Sequence, residues 1–98
     1  MIDFVTLTSN VMCNMGLRED SLDANYKKKI ANDVKTAVLE FKAAGVIEPA
    51  IESQIGVTAI AIICNDLLNV ESGNIKISKA YMYYIPILQA LTEEDLMT

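Results

Sequence analysis

An all-α fold, a small bundle of four to five helices in one domain over residues 1–98, is what this sequence predicts, and three observations predict it. Apolar residues recur at spacings of three and four through Leu22, Tyr26, Ile30, Val34, Ala37, Val38 and Phe41, the stripe of an amphipathic helix. Ser53 to Asn65 carries no charged side chain, and its Gly56 to Cys64 core is apolar on nearly every helical face. Gly16, Gly45 and Pro49 stand where helices should stop and start.

Taken in order, Thr8 between Leu7 and Met12 suits an N-cap flanked by a hydrophobic staple, so a first short helix is expected from about Ser9 to Met15, with Gly16 closing it. Asp20 or Ser21 is the expected cap of the long helix, and Asp23 would favour the positive end of its dipole. That helix should end at Ala44, with Gly45 at the C′ position and Val46 making the accompanying apolar contact. Pro49 fits the first position of a third helix, which should run without a break through Ile51, Ile55 and the uncharged stretch to Leu67 and Leu68. Glu71-Ser72-Gly73-Asn74 reads as a turn, Ile75-Lys76-Ile77 as a short extended piece, and Ser78 as the cap of a fourth helix. On that helix Tyr81, Tyr84, Ile85 and Leu88 share a face, while Pro86, which lacks a backbone donor, should kink or split it. Three tyrosines within four positions cannot all point inward, and Tyr83 is the expected outward one. Thr92 and Asp95 form a capping pair for a last short turn, with fraying expected from Leu96 to Thr98.

An uncharged helix must be covered, and at about 1.5 Å per residue this one reaches only roughly 20 Å, short of a bilayer core of about 30 Å. No membrane is expected, and protein is the expected cover. In a chain of 98 residues, part of that cover is expected from another copy or a partner. Thr58, Ala59 and Ala61 would admit a neighbouring helix while Ile60, Ile62 and Ile63 fill its grooves.

The net charge of −5 and the absence of histidine disfavour a phosphate-binding surface and remove the commonest general base and metal ligand. No sequence-specific nucleic-acid contact is therefore expected. Cys13 and Cys64 have neither CxxC spacing nor histidine to activate them, and both read as reduced core thiols. Glu19, Asp20 and Asp23, like Glu93, Glu94 and Asp95, cluster at helix starts, where the dipole accounts for them. No Gly-rich phosphate loop or calcium-loop spacing occurs, so no cofactor, metal or enzymatic activity is expected. Lys27-Lys28-Lys29 is the one cationic run, and the i,i+4 pairs Asp23–Lys27 and Lys29–Asp33 suit a solvated face, with weak DNA contact left open. Asp3 stands where a signal peptide needs positive charge, and no targeting segment is expected.

The order of LRED-SLD, a long helix ending in AAGV, an apolar helix closing in NDLLN, a glycine turn and SKAYMYYIPIL resembles the small head-tail connector (adaptor) proteins of long-tailed bacteriophages and prophages. The resemblance runs from about Leu17 to Leu91 and rests on Ser78, Tyr81, Ile85 and Leu88 as the closing-helix motif, while Pro86 departs from the pattern. It implies a structural virion protein, made in the bacterial cytoplasm and placed at the head–tail junction. There it would form a ring of about a dozen copies between the portal and a tail-side stopper, with DNA passing through the lumen. Ile60, Ile63, Leu67, Tyr83 and Tyr84 are the residues expected at subunit contacts, and Leu91, Glu93, Glu94 and Leu96 those expected to grip the portal. The alternative is a helical regulatory module, antitoxin-like or another phage accessory protein, that clasps a protein partner.

Overall fold

The computed structural model describes residues 2–68 and 79–96. Its elements are α1 (Phe4–Asn14), a 3-10 turn (Glu19–Ser21), α2 (Ala24–Ala43), α3 (Glu48–Glu52), α4 (Gln54–Leu68), α5 (Lys79–Ala90) and α6 (Glu93–Leu96). The described residues are all-α, as the periodicity predicts, with α3 and α6 each little more than one turn. The turn expected at Glu71 to Asn74, the extended piece at Ile75 to Ile77 and the Ser78 cap lie outside the described residues, as do the last two of the residues expected to fray.

Two helix ends, those of α1 and α2, follow the glycines. At the end of α1 the Gly16 N–H donates to Cys13 O and the Leu17 N–H to Met12 O, each at 3.0 Å. At the end of α2 the Gly45 N–H reaches Lys42 O and the Val46 N–H reaches Phe41 O, also at 3.0 Å. These are paired Schellman bonds, which satisfy carbonyls the helix leaves unmatched and need a left-handed residue at C′. Gly16 and Gly45 supply it, with φ of 77° and 84°. The Gln89 side chain donates to Ala44 O and so fastens α5 to the same helix end.

The helix starts depart from expectation in three places. The first helix begins at Phe4, not Ser9, because Asp3 rather than Thr8 caps it: the carboxylate accepts from the Thr6 N–H at 3.2 Å and the Thr6 hydroxyl at 2.8 Å. The staple positions shift with the cap, and Ile2 and Leu7, at N′ and N4, are both buried. The long helix is capped by Asp23, whose carboxylate accepts from the Asn25 N–H at 3.0 Å, and not by Asp20 or Ser21. Leu22 is extended, so Glu19–Ser21 forms a separate 3-10 turn, held to α1 by the Ser9 hydroxyl on Glu19 at 3.0 Å.

The third expected helix is two helices. Ser53 is extended (φ −70°, ψ 167°), its hydroxyl donates to Ala50 O at 2.6 Å and accepts from the Gly56 N–H at 3.2 Å, and so it ends α3 while capping α4. Gly56 makes the bend sterically feasible. A Cβ there would stand 2.6 Å from the Ile51 carbonyl carbon and closer still to the carbonyl oxygens of Ala50 and Ile51. Pro49 falls in the first turn of α3, and α5 runs through Pro86 without splitting.

The core is one continuous cluster centred on α4, against which α1, α2, α3 and α5 all pack. α2 contributes Ile30, Val34, Ala37, Val38 and Phe41, as its stripe predicts, with Tyr26 lying at the margin. From α4, Val57, Ala59, Ile60, Ala61, Ile63 and Cys64 are buried, which corrects the expectation that other chains must complete the cover. These four helices surround most of it, and among its described side chains the large apolar residues classed as exposed are Ile55 (41%) and Ile62 (39%). No described helix is long and apolar enough to cross a membrane.

Gly56→Ala is expected to cost about 1–3 kcal/mol or more through backbone overlap. Gly45→Ala, which meets nothing within 4 Å but has positive φ, should cost about 1–2 kcal/mol. Urea denaturation of the two variants against the parent chain checks the order.

Candidate functional site

Among the described residues, α5 carries an exposed apolar strip whose position the fold explains. Leu88 anchors α5 in the core, with Ala80 also buried and Tyr81, Tyr84 and Ile85 half-buried beside it. At 100° per residue Met82, Tyr83 and Pro86 fall on the side of the helix away from Leu88, and Ile87 on its flank, about 100° from Leu88. Met82 is 79% and Tyr83 67% exposed, while Ile87 is at the exposed margin. Tyr84 meets Tyr83 edge to face with centroids 5.0 Å apart, a favourable aromatic geometry that fixes how the outer ring stands.

Tyr81 turns the other way, its ring 5.5 Å from that of Phe41. Burial first, and the charge of Glu40 next, push its phenol up to about 12. Burial likewise pushes the Cys64 thiol up to about 12, reinforced by Asp33. Lys29 stands 3.6 Å from Asp33 Oδ2, an ion pair too long for a hydrogen bond, so that buried oxygen has no hydrogen-bond partner. Cys64 is therefore the core thiol the sequence suggests, but Cys13 is exposed. Beginning α1 at Phe4 sets Leu7, Val11 and Met12 inward, and Cys13 falls on the outer face.

The residues expected at subunit contacts divide. Ile60 and Ile63 have no exposed surface, so both must be withdrawn from any contact between copies: their side chains are committed to this chain's own core. Leu67 and Tyr84 are half-buried, and Tyr83 is exposed as expected. Met82, which stands among the tyrosines in the sequence, is exposed with Tyr83; Ile87 was not singled out by sequence and lies on the flank of α5. Of the residues expected to grip the portal, Glu93 and Glu94 are exposed, whereas Leu91 and Leu96 are half-buried against the core, where α6 rests on α3. α6 is opened by the expected capping pair: the Thr92 N–H donates to Asp95 Oδ2 at 3.0 Å and the Asp95 N–H to the Thr92 hydroxyl at 3.2 Å. These bonds, the backbone one foremost, hold the Asp95 carboxyl below its ordinary range.

Charged side chains elsewhere serve the helix ends. Lys42 Nζ lies 2.9 Å from Glu48 Oε2, spanning the α2–α3 turn and lowering the Glu48 pKa. The Lys29–Asp33 pair of the basic run is present, while Asp23 spends its carboxylate on the N-cap. Among the described residues, no three His, Cys, Asp or Glu side chains converge as a metal site would require.

Ile60→Ala is expected to lower the stability of the single chain by about 2–5 kcal/mol. Ile62→Ala, half outside, should cost about 1 kcal/mol, and chemical denaturation at low protein concentration separates them. With the Cys64 pKa near 12, its thiolate fraction at pH 8 is about one part in ten thousand. A disulfide exchange reagent at that pH should thus label one thiol per native chain quickly, Cys13, and the second only after unfolding.

Compared with known protein families, with curated proteins and with solved structures, the chain finds no match in any of the three.

Proposed function

We propose that the chain is a non-enzymatic structural subunit of the head-tail connector kind, assembling through α5 into a ring between a portal and a tail-side stopper. The observation that carries this reading is the α5 strip. Met82 and Tyr83, with Ile87 on the flank, present exposed apolar surface on the outer side of α5, and Tyr83 brings a large ring with a polar tip, a combination enriched at protein interfaces. A ring contact is heterologous, so the strip must meet a different patch on the next copy. Ile55 and Ile62 of α4, partly exposed, supply a second apolar patch for that purpose. The resemblance of the element order to phage connectors supplies the partner class. The net charge of −5 fits a lumen through which DNA slides without adhering.

In this reading the exposed Glu93 and Glu94 of α6 make the first electrostatic contact with the portal, and Leu91 and Leu96 contribute only if α6 lifts from α3. Assembly then depends on the portal as a template, since a strip of this size gives weak contact between free copies.

Negative-stain imaging and light scattering of the chain mixed with the portal protein of the same genome test the proposal. Rings on the portal are expected for the parent chain. The double variant Met82→Ser with Tyr83→Ser should lose them by at least about tenfold in the concentration required, with its thermal midpoint little changed because both side chains are outside the core. A parent chain that stays monomeric and ignores the portal at all concentrations would sink the reading.

A further inference from the structure

A second surface lies on α1 and α2. Between α1 and α2 runs an open groove of about 390 Å³. Its α1 side is mainly apolar, made by Phe4, Val5 and Met12 with Thr8 between them; Met12 is buried, while Val5 is 80% exposed despite being a β-branched hydrocarbon at the start of a helix. Its α2 wall carries Lys27, Lys28 and Lys35, which are three of the eight basic residues of an acidic chain. Glu19 is the one carboxylate at the edge, and it is engaged by the Ser9 hydroxyl at 3.0 Å.

From these features we infer that the α1–α2 groove is a docking site for an acidic amphipathic helix of a partner protein. Lys28 and Lys35 are seven residues apart on α2, two helical turns or roughly 10 Å along the axis. A helix laid in the groove meets both with carboxylates spaced by the same two turns. The apolar residues between those carboxylates then cover Val5 and Phe4. Each half of the groove selects against another occupant. A nucleic-acid backbone would use the lysines but has nothing to place on the apolar α1 side. An apolar helix would use that side but leave three ammonium groups beside it without counter-charge. A second copy of this chain is a poorer fit, because the exposed face of its acidic α6 is carboxylate alone, with Leu91 and Leu96 turned into its own core. The inference is independent of the ring proposal, since the groove shares no residue with the α5 strip.

Fluorescence anisotropy on the free chain tests it. The probe is a fluorescein-labelled, lactam-bridged helical peptide with two glutamates seven residues apart and a leucine pair between them. Saturable binding at about 0.15 M salt is expected. Lys28→Glu with Lys35→Glu should weaken it by about tenfold or more, and so should Val5→Glu. A peptide with lysines replacing the glutamates should bind the charge-reversed chain. All three positions are at the surface, and circular dichroism melts confirm that the variants fold; Val5→Ser replaces Val5→Glu should the latter melt early. Absence of saturable binding overturns the proposal. So does binding insensitive to Val5, which would reduce the groove to diffuse attraction. Equal affinity for a single-stranded oligonucleotide through the same lysines overturns it in favour of nucleic acid, and loss of self-association on sedimentation of the Val5 variant overturns it in favour of a second copy.

Discussion

The burial of α4 inside its own chain is the constraint on which the rest of the structure depends. A helix with no charged side chain from Gln54 to Asn65 has little polar surface to offer water, and every other long described helix packs on it. That packing sets the lengths and bends of the other elements. α3 must stop and turn at Ser53 so that α4 can enter the centre, and Gly56 is the position where the two backbones come too close for a side chain. α5 must present Leu88 and Tyr81 inward, which commits Met82 and Tyr83 to the outside. The exposed strip on α5 is thus a by-product of covering α4, and its composition, unlike its location, is free to serve a partner.

Helix stops were more legible than helix starts, for a physical reason. A C-terminal glycine is demanded by backbone conformation, and Gly16 and Gly45 therefore marked their ends unambiguously. An N-cap can be supplied by many polar residues at small cost, and Asp3, Thr8, Asp20, Ser21 and Asp23 were all chemically adequate. Which of them acts depends on whether the next turn can bury something. Phe4 and Leu7 extend α1 back to Asp3, and extended Leu22 leaves Asp23 as the last residue able to open α2. The α3–α4 bend was beyond local reading because Ser53 is compatible with a continuous helix, and only packing of the Ala50 and Ile51 carbonyls on Gly56 decides against it.

Among the proposed contact residues, the same limit appears as a matter of helical phase. The uncharged stretch correctly marked an element needing full cover, but hydropathy does not say whose atoms provide it. Ile60 and Ile63 went to the core and Ile62, one step around the same turn, to the margin. On α5 the phase could be read, since three tyrosines in four positions force at least one outward, and Tyr83 is that one. The two surfaces left over differ in chemistry: the α5 strip is apolar without nearby charge of its own helix except Lys79, while the α1–α2 groove joins hydrocarbon to lysine.

The placement of Tyr81 against Phe41 has an optical consequence. The chain contains no tryptophan and four tyrosines, three of them on α5 and one, Tyr26, on α2, so most of its intrinsic ultraviolet fluorophores belong to one helix. One fluorophore sits at the edge of the hydrophobic interior and another projects into solvent. Unfolding and surface contact therefore perturb different rings of a single spectrum, and the molecule reports on its own state without a label.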